Sequence, residues 1–207
     1  MNYQELVSIL VQDVASGSAR RQAADDQSSR RDLIRTQFAA IEGLVWLARN
    51  HISNVASELG KLSDDEAQAL SERYVAIGSN GKLTSHSKFI PTLGAIKFLA
   101  RLSKRICDRE VIPVDKEGWN NLIEATAIRN RITHPKATED LKIPDSDLAS
   151  CEAAFIWCFE HLITAMETTN AALRDERDGI RDIFQKLEAK DPVTWGYYQA
   201  ALLEGRD

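Results

Sequence analysis

The chain has 207 residues and a formal net charge of −5. It is long enough to bury one large core and too acidic to coat nucleic acid wholesale, although a local basic site stays open. Three cysteines, Cys107, Cys151 and Cys158, are too few and too scattered for a disulfide framework or a zinc site.

Cys151 and Cys158 fall on an apolar helix stripe and read as small core residues in a reducing compartment. The first residues lack a basic region followed by an apolar run, and no stretch approaches the length of a membrane span. A soluble cytoplasmic protein with no membrane partner is the expectation. The simplest organisation is a helical bundle over residues 1–178 and a helical extension over 179–207, packed on the same domain or on a dimer interface.

Residues 2–16 place Leu6, Ile9, Leu10 and Val14 at helical spacing, with a stop expected at Gly17. Residues 18–29 read as a loop or as continued helix. Ser29-Arg30-Arg31-Asp32 has the form of a capping box and opens a helix expected to run to Gly60. Along it Ile34, Phe38, Ile41, Val45, Ala48, Ile52, Val55 and Leu59 recur in alternating steps of four and three, the pattern of a left-handed bundle seam. Glu42 interrupts the apolar run from Ile41 to Trp46, and an isolated acid there predicts a facing cation.

Ser63-Asp64-Asp65-Glu66 is a second capping box, opening a helix that Gly78 is expected to close. Residues 79–90 read as a polar loop with a turn at Asn80-Gly81. Pro91 takes the first position of a helix reaching about Arg109. Lys97, Arg101, Lys104, Arg105 and Arg109 share one side of it, and Ile96, Leu99, Ala100, Ser103 and Ile106 another. A charged helix face is ordinarily a solvated one; its alternative use is to track an RNA backbone.

The stretch from Trp119 to Lys136 is an apolar helix that ends in groups suited to a phosphate. Trp119, Leu122, Ile123, Ala125, Ala127, Ile128 and Ile132 cover most of its circumference, which predicts packing on more than one side. Arg129 lies on the stripe Leu122, Ala125, Ile132, so a cation projects from a face otherwise meant for burial and needs a partner or a water-lined cleft. Pro135 steers His134 out of the α region and into the last turn. Beyond a polar linker to Pro144, a helix from Asp145 to about Arg177 carries Leu148, Cys151, Phe155, Cys158, Leu162, Ala165, Thr169 and Leu173, the natural partner of the first seam. Asp191-Pro192 then caps a final helix with Trp195, Tyr197, Tyr198, Leu202 and Leu203. No strand signal, repeat or low-complexity tract is visible, so the expected class is all-α.

Arg129, Asn130, Arg131-Ile132-Thr133 and His134 form an Arg-x4-His motif with a polar residue directly after the Arg. In this the segment resembles the HEPN family, whose ribonuclease members carry Arg, then four to six residues, then His. The resemblance implies an antiparallel helical bundle that dimerises so that two motifs face each other across a shared cleft. It implies endoribonuclease activity on RNA, giving 2′,3′-cyclic phosphate and 5′-hydroxyl ends. Arg129 would stabilise the phosphate, His134 would be general acid or base, and Asn130 would orient the site. Lys97, Arg101, Lys104, Arg105, Arg131 and Lys136 would hold substrate.

RNA supplies its own nucleophile, so such chemistry needs a proton carrier near neutrality, for which histidine with an ordinary pKa of about 6.5 is suited. It also needs a fixed cation that grips two phosphate oxygens, as arginine does. No metal or other cofactor is expected, since no carboxylate pair or histidine cluster is present to hold one. The family acts in toxin–antitoxin, phage-defence and RNA-processing systems, which implies an inhibitory protein partner in some members. Those paired with a nucleotidyltransferase antitoxin carry Tyr two residues beyond the His; Lys136 stands there instead, so that pairing is not expected. The alternative is a non-catalytic helical dimerisation or adaptor module, with Arg129 locked in an ion pair.

Overall fold

The computed structural model describes residues 3–204. In chain order the elements are α1 (Tyr3–Ala23), α2 (Gln27–Glu58), α3 (Asp64–Leu70), β1 (Arg73–Ile77), β2 (Leu83–Ser87), α4 (Thr92–Cys107), α5 (Glu117–Thr133), a 3-10 turn at Thr138–Leu141, α6 (Asp145–Glu188) and α7 (Pro192–Glu204). The class is all-α, with one two-stranded sheet. The chain divides into two compact units, residues 1–169 and 170–207.

In the first unit α2 is the central helix. The expected seam is buried, with Ile34, Ile41, Ala48 and Ile52 inaccessible to solvent; Leu59 is the half-buried C-cap. A second seam, Leu33, Gln37, Ala40, Leu44 and Leu47, is buried beside it. α2 is thereby enclosed on two sides, which a bundle's middle helix requires.

α1 runs antiparallel to α2, since Leu10 meets Gly43 and Gly17 meets Leu33. Gly17 does not end α1. A Cβ there would come within 3.3 Å of Leu33 Cδ1, so its smallness serves close helix approach. The cap of α2 also differs from expectation: Asp26 is the N-cap, its carboxylate accepting from the Ser29 N–H at 2.8 Å. Ser29 is the third helical residue, and its Oγ in turn accepts from the Asp26 N–H at 3.1 Å. Acid and hydroxyl have exchanged the usual places in the capping box.

Ser63 caps α3 as expected, accepting from the Glu66 N–H at 3.3 Å. The helix stops at Leu70, however, and the chain forms an antiparallel hairpin with Arg73 opposite Ser87 and Ile77 opposite Leu83. Asn80-Gly81 is its turn, with Gly81 at φ 72°. Both faces of both strands are largely exposed, so no alternation of burial marks them in sequence. The Arg49–Glu72 ion pair anchors the hairpin's base to α2.

α4 starts beside Val45 and Trp46 and ends beside Lys61, whose ammonium donates to the Arg105 and Ile106 carbonyls at 3.3 Å. It therefore runs parallel to α2. α5 returns antiparallel to α4, and α6 antiparallel to α5: Asp147 meets Arg131, Ser150 donates to Glu124 at 2.9 Å, and Trp157 packs edge-on to Trp119. Only one side of α5 is buried. Trp119, Leu122, Ala125, Ile128 and Ile132 face the core, whereas Ile123 and Ala127 are exposed. The expected packing on several sides is corrected accordingly.

α6 continues past Arg177 to Glu188 as one helix, stabilised there by the pairs Arg181–Asp178 and Lys186–Asp182. It is long and apolar enough by composition to cross a membrane, with a window of mean hydropathy 1.2, which the sequence expectation had passed over. Cys151, Ala154, Cys158, Leu162 and Ala165 in it are buried within the first unit. Burial pushes the thiols of Cys151 and Cys158 up to about 12, as small core residues behave. In the second unit Lys190 takes a left-handed turn at φ 55°. Asp191 then caps α7, its carboxylate accepting from the Thr194 N–H at 2.9 Å and hydroxyl at 2.8 Å.

Two measurements check this packing. A Cβ on Gly118 would lie 2.1 Å from Trp157 Cδ1, so Gly118→Ala should lose about 1–3 kcal/mol in urea unfolding. His51, 3.1 Å from the Met166 carbonyl, has its pKa lowered by burial, partly offset by that hydrogen bond. A depressed imidazole pKa means the unfolded chain binds the proton first. His51 thus costs nothing above about pH 6.5 and destabilises progressively as pH falls below it. Thermal scans should show this decline in the wild type and a shallower one in His51→Gln.

Candidate active site

The last two turns of α5 place Arg129 and His134 on different sides of the helix. Five residues turn through roughly 500°, leaving the two side chains about 140° apart. Arg129 points into a groove between α2, α5 and the start of α4, a cavity of about 310 Å³. Its Nη2 donates to Glu42 Oε1 at 2.8 Å, and its Nη1 to Asn130 Oδ1 at 3.2 Å. Glu42 therefore has the facing cation its position predicts. The pair is not sealed, the side chains of Arg129 and Glu42 being 33% and 47% exposed. Most of the guanidinium N–H donors remain open to a further acceptor.

His134 is the C-cap, its N–H donating to the Asn130 carbonyl at 3.0 Å. The Thr133 hydroxyl donates to the Arg129 carbonyl at 2.7 Å, closing the helix end. The His134 ring is exposed and has no hydrogen-bond or ion-pair partner among the described residues. With Asn120, Ile123, Ala127 and Asn130 it follows one exposed stripe of α5.

What holds His134 in place is the segment that follows it. Asp140 accepts from the Lys136 and Ala137 N–H groups at 2.7 and 3.0 Å, and these bonds draw its carboxyl below the usual range. Arg131 donates to the Asp140 and Lys142 carbonyls at 3.2 Å and ion-pairs with Asp147. From α2, Arg30 and Arg31 donate to the Ile143 and Leu141 carbonyls at 2.9 Å. Gln27 bonds Ile143 in both directions. The turn after Pro135 is thus pinned from two helices.

The basic residues separate into groups. Arg131 is part of this clamp, and Arg105 forms a two-point pair with Glu66, both bonds 2.8 Å, which with the Ser63 N–H draws the Glu66 carboxyl down to about 2. Lys97 lies over the Trp119 ring at 5.5 Å and Arg101 over Phe98 at 6.0 Å, both with exposed side chains, as are Lys104, Arg109 and Lys136.

Phe89 is the residue that sequence reasoning missed. It is 84% exposed on the rim of the Arg129 groove, opposite buried Phe38. A lone aromatic in an otherwise polar connection was its only signal. Among the described residues no three His, Cys, Asp or Glu side chains gather as metal ligands do. No protein-family model, curated protein or solved structure matches the chain.

The two arginines of the motif should separate in stability measurements. Arg131→Ala leaves a largely buried Asp147 carboxylate and two carbonyls without their donor, and should cost about 2–4 kcal/mol. Arg129→Ala removes a half-exposed pair and should cost about 1 kcal/mol or less. Urea denaturation of both variants checks the contrast.

Proposed function

We propose that the protein is an endoribonuclease of HEPN type, acting as a homodimer. The observation that carries this reading is the pairing, at one helix end, of an exposed and unpartnered His134 with an Arg129 that retains open donors in a groove. Neither residue has packing as its evident use. Because they diverge around the α5 axis, one protomer does not direct both at a single phosphate. A second α5 approaching along the stripe of Ile123, Ala127 and Asn130 would supply the missing half.

In the reaction the 2′-hydroxyl of the RNA attacks the adjacent phosphorus as His134 takes its proton. The bond from phosphorus to O5′ breaks, and the departing oxygen gains a proton from the partner's His134. The products are a 2′,3′-cyclic phosphate and a 5′-hydroxyl. Arg129 neutralises the charge that accumulates on the non-bridging oxygens, and Asn130 fixes the guanidinium's orientation. Phe89 offers a face on which a neighbouring base stacks, and Lys97, Arg101, Lys104 and Lys136 attract the backbone. Arg105 and Arg131 are committed to the fold and are not carried into this set.

The Arg129–Glu42 ion pair favours a second reading, a dimerisation or adaptor module in which Arg129 is structural. Cleavage of mixed cellular RNA in the presence of chelator separates the two. His134→Ala should lower the rate roughly 100-fold to 10,000-fold, and Arg129→Ala roughly 100-fold or more, with circular dichroism unchanged. Undiminished cleavage by His134→Ala removes the catalytic reading, and a wild type that leaves RNA intact favours the adaptor.

A further inference from the structure

Nine of the nineteen exposed large hydrophobic side chains among the described residues fall between Ile180 and Leu203. They include Ile180, Ile183 and Phe184 on α6 and Tyr197, Tyr198 and Leu203 on α7, with Tyr197 75% and Leu203 69% exposed. From Pro192 to Leu203 the sequence contains no charged residue, and its apolar positions lie on every side of α7. A helix apolar all round is ordinarily buried. The far end of α6 covers one side of it at most, where Leu187 and Thr194 are half-buried.

We propose that two copies of this chain pair through residues 180–203, the end of α6 and α7 from each forming a four-helix bundle. This pairing goes beyond the α5 approach of the proposed composite site and is argued from this surface alone. Taking large side chains at roughly 150–250 Å² each, the nine leave on the order of 1,000 Å² exposed. A stable interface takes about 800 Å² from each partner.

Charge selects the occupant. Two nearby ions of α6 are already satisfied within the helix, Arg181 by Asp178 at 3.0 Å and Lys186 by Asp182 at 2.6 Å, and the exposed Glu188 and Lys190 that remain are of opposite sign. A copy of the same surface therefore brings one uncompensated anion and one uncompensated cation, which offset each other across a two-fold pairing. RNA would require cations that α7 lacks, and an interfacial membrane helix would require a basic face. Gly196, where an added Cβ would meet nothing within 4 Å, and Ala200 one turn later give a second helix room for close approach. A two-fold arrangement makes the one patch complementary to itself.

The test is sedimentation velocity on the full chain across a micromolar concentration series, with Tyr197→Glu/Leu203→Glu and Ile183→Glu as variants. The substituted positions are exposed, so circular dichroism should stay helical. The wild type should be a dimer, and the double variant should weaken dimerisation roughly 100-fold or more by placing unpaired carboxylates in the interface. A monomeric wild type, or variants that dimerise as well as it does, overturns the proposal. So does a monomer that co-sediments with anionic phospholipid vesicles, which would assign the surface to a membrane. RNA cleavage by the same samples keeps the two readings apart. A dimer broken by these variants yet inert towards RNA sinks the ribonuclease alone. An active dimer that the variants leave whole sinks the pairing through residues 180–203 alone.

Discussion

Burial of α2 on two sides is the constraint from which the first unit is built. Its two parallel rows of apolar residues demand neighbours on both flanks, and α1, α4, α5 and α6 meet that demand. Because α4 and α6 lie alongside α2 in the same direction, each must be reached by a connection that travels back along the bundle. For α4 this is α3 with the β-hairpin; for α6 it is α5 itself. The candidate site is the end of that second return. α5 delivers Arg129 to the flank of α2, where Glu42 waits in an apolar run, and then must turn before α6 can start.

That turn explains why the site contains so much structural polarity. The connection from α5 to α6 leaves carbonyls that need donors, and Arg30, Arg31 and Arg131 all donate to carbonyls of residues 140–143. Three arginines are spent on the loop so that His134 and Arg129 can keep their side chains uncommitted or only partly committed. Residue type alone does not distinguish these roles. Arg129 and Arg131 are two positions apart on one helix, and their difference lies in whether the acceptor is a half-exposed carboxylate or a largely buried one backed by two carbonyls.

Much of the bundle was legible in the sequence because helical periodicity is a long-range, redundant signal. The seam of α2, the caps at Ser63 and Asp191 and the stripe of α6 all stand as read. The partner of Glu42 was legible too, since an acid in an apolar run has few outlets. What failed was local and single-valued. Gly17 looks like a stop but is a contact point; Ser29 looks like a cap but is its complement. The hairpin was invisible because neither of its faces is buried, and without burial a strand has no period to betray it. The extra side of α5 was overread for the opposite reason: Ile123 and Ala127 look like core residues in sequence whether a protomer or a partner covers them.

The hairpin carries one more implication. Two strands alone have no inner strand, so each leaves outward backbone N–H and C=O groups without a strand partner; the Ser71 hydroxyl meets those of Arg73, accepting from its N–H at 3.2 Å and donating to its carbonyl at 2.8 Å. Five residues per strand and a polar second strand, Leu83-Thr84-Ser85-His86-Ser87, keep that edge too short and too wet to template growth. The ladder is held at its base by Arg49 and Glu72 and its tip is closed by the Gly78 N–H on the Lys82 carbonyl at 2.9 Å and the Lys82 N–H on Asn80 Oδ1 at 3.0 Å, so lengthening the chain at Asn80-Gly81 gives up those local bonds and adds the slowly growing entropy of a longer loop. Evolution can graft new residues there, at the end of the ladder away from Arg49 and Phe89, without consulting the core.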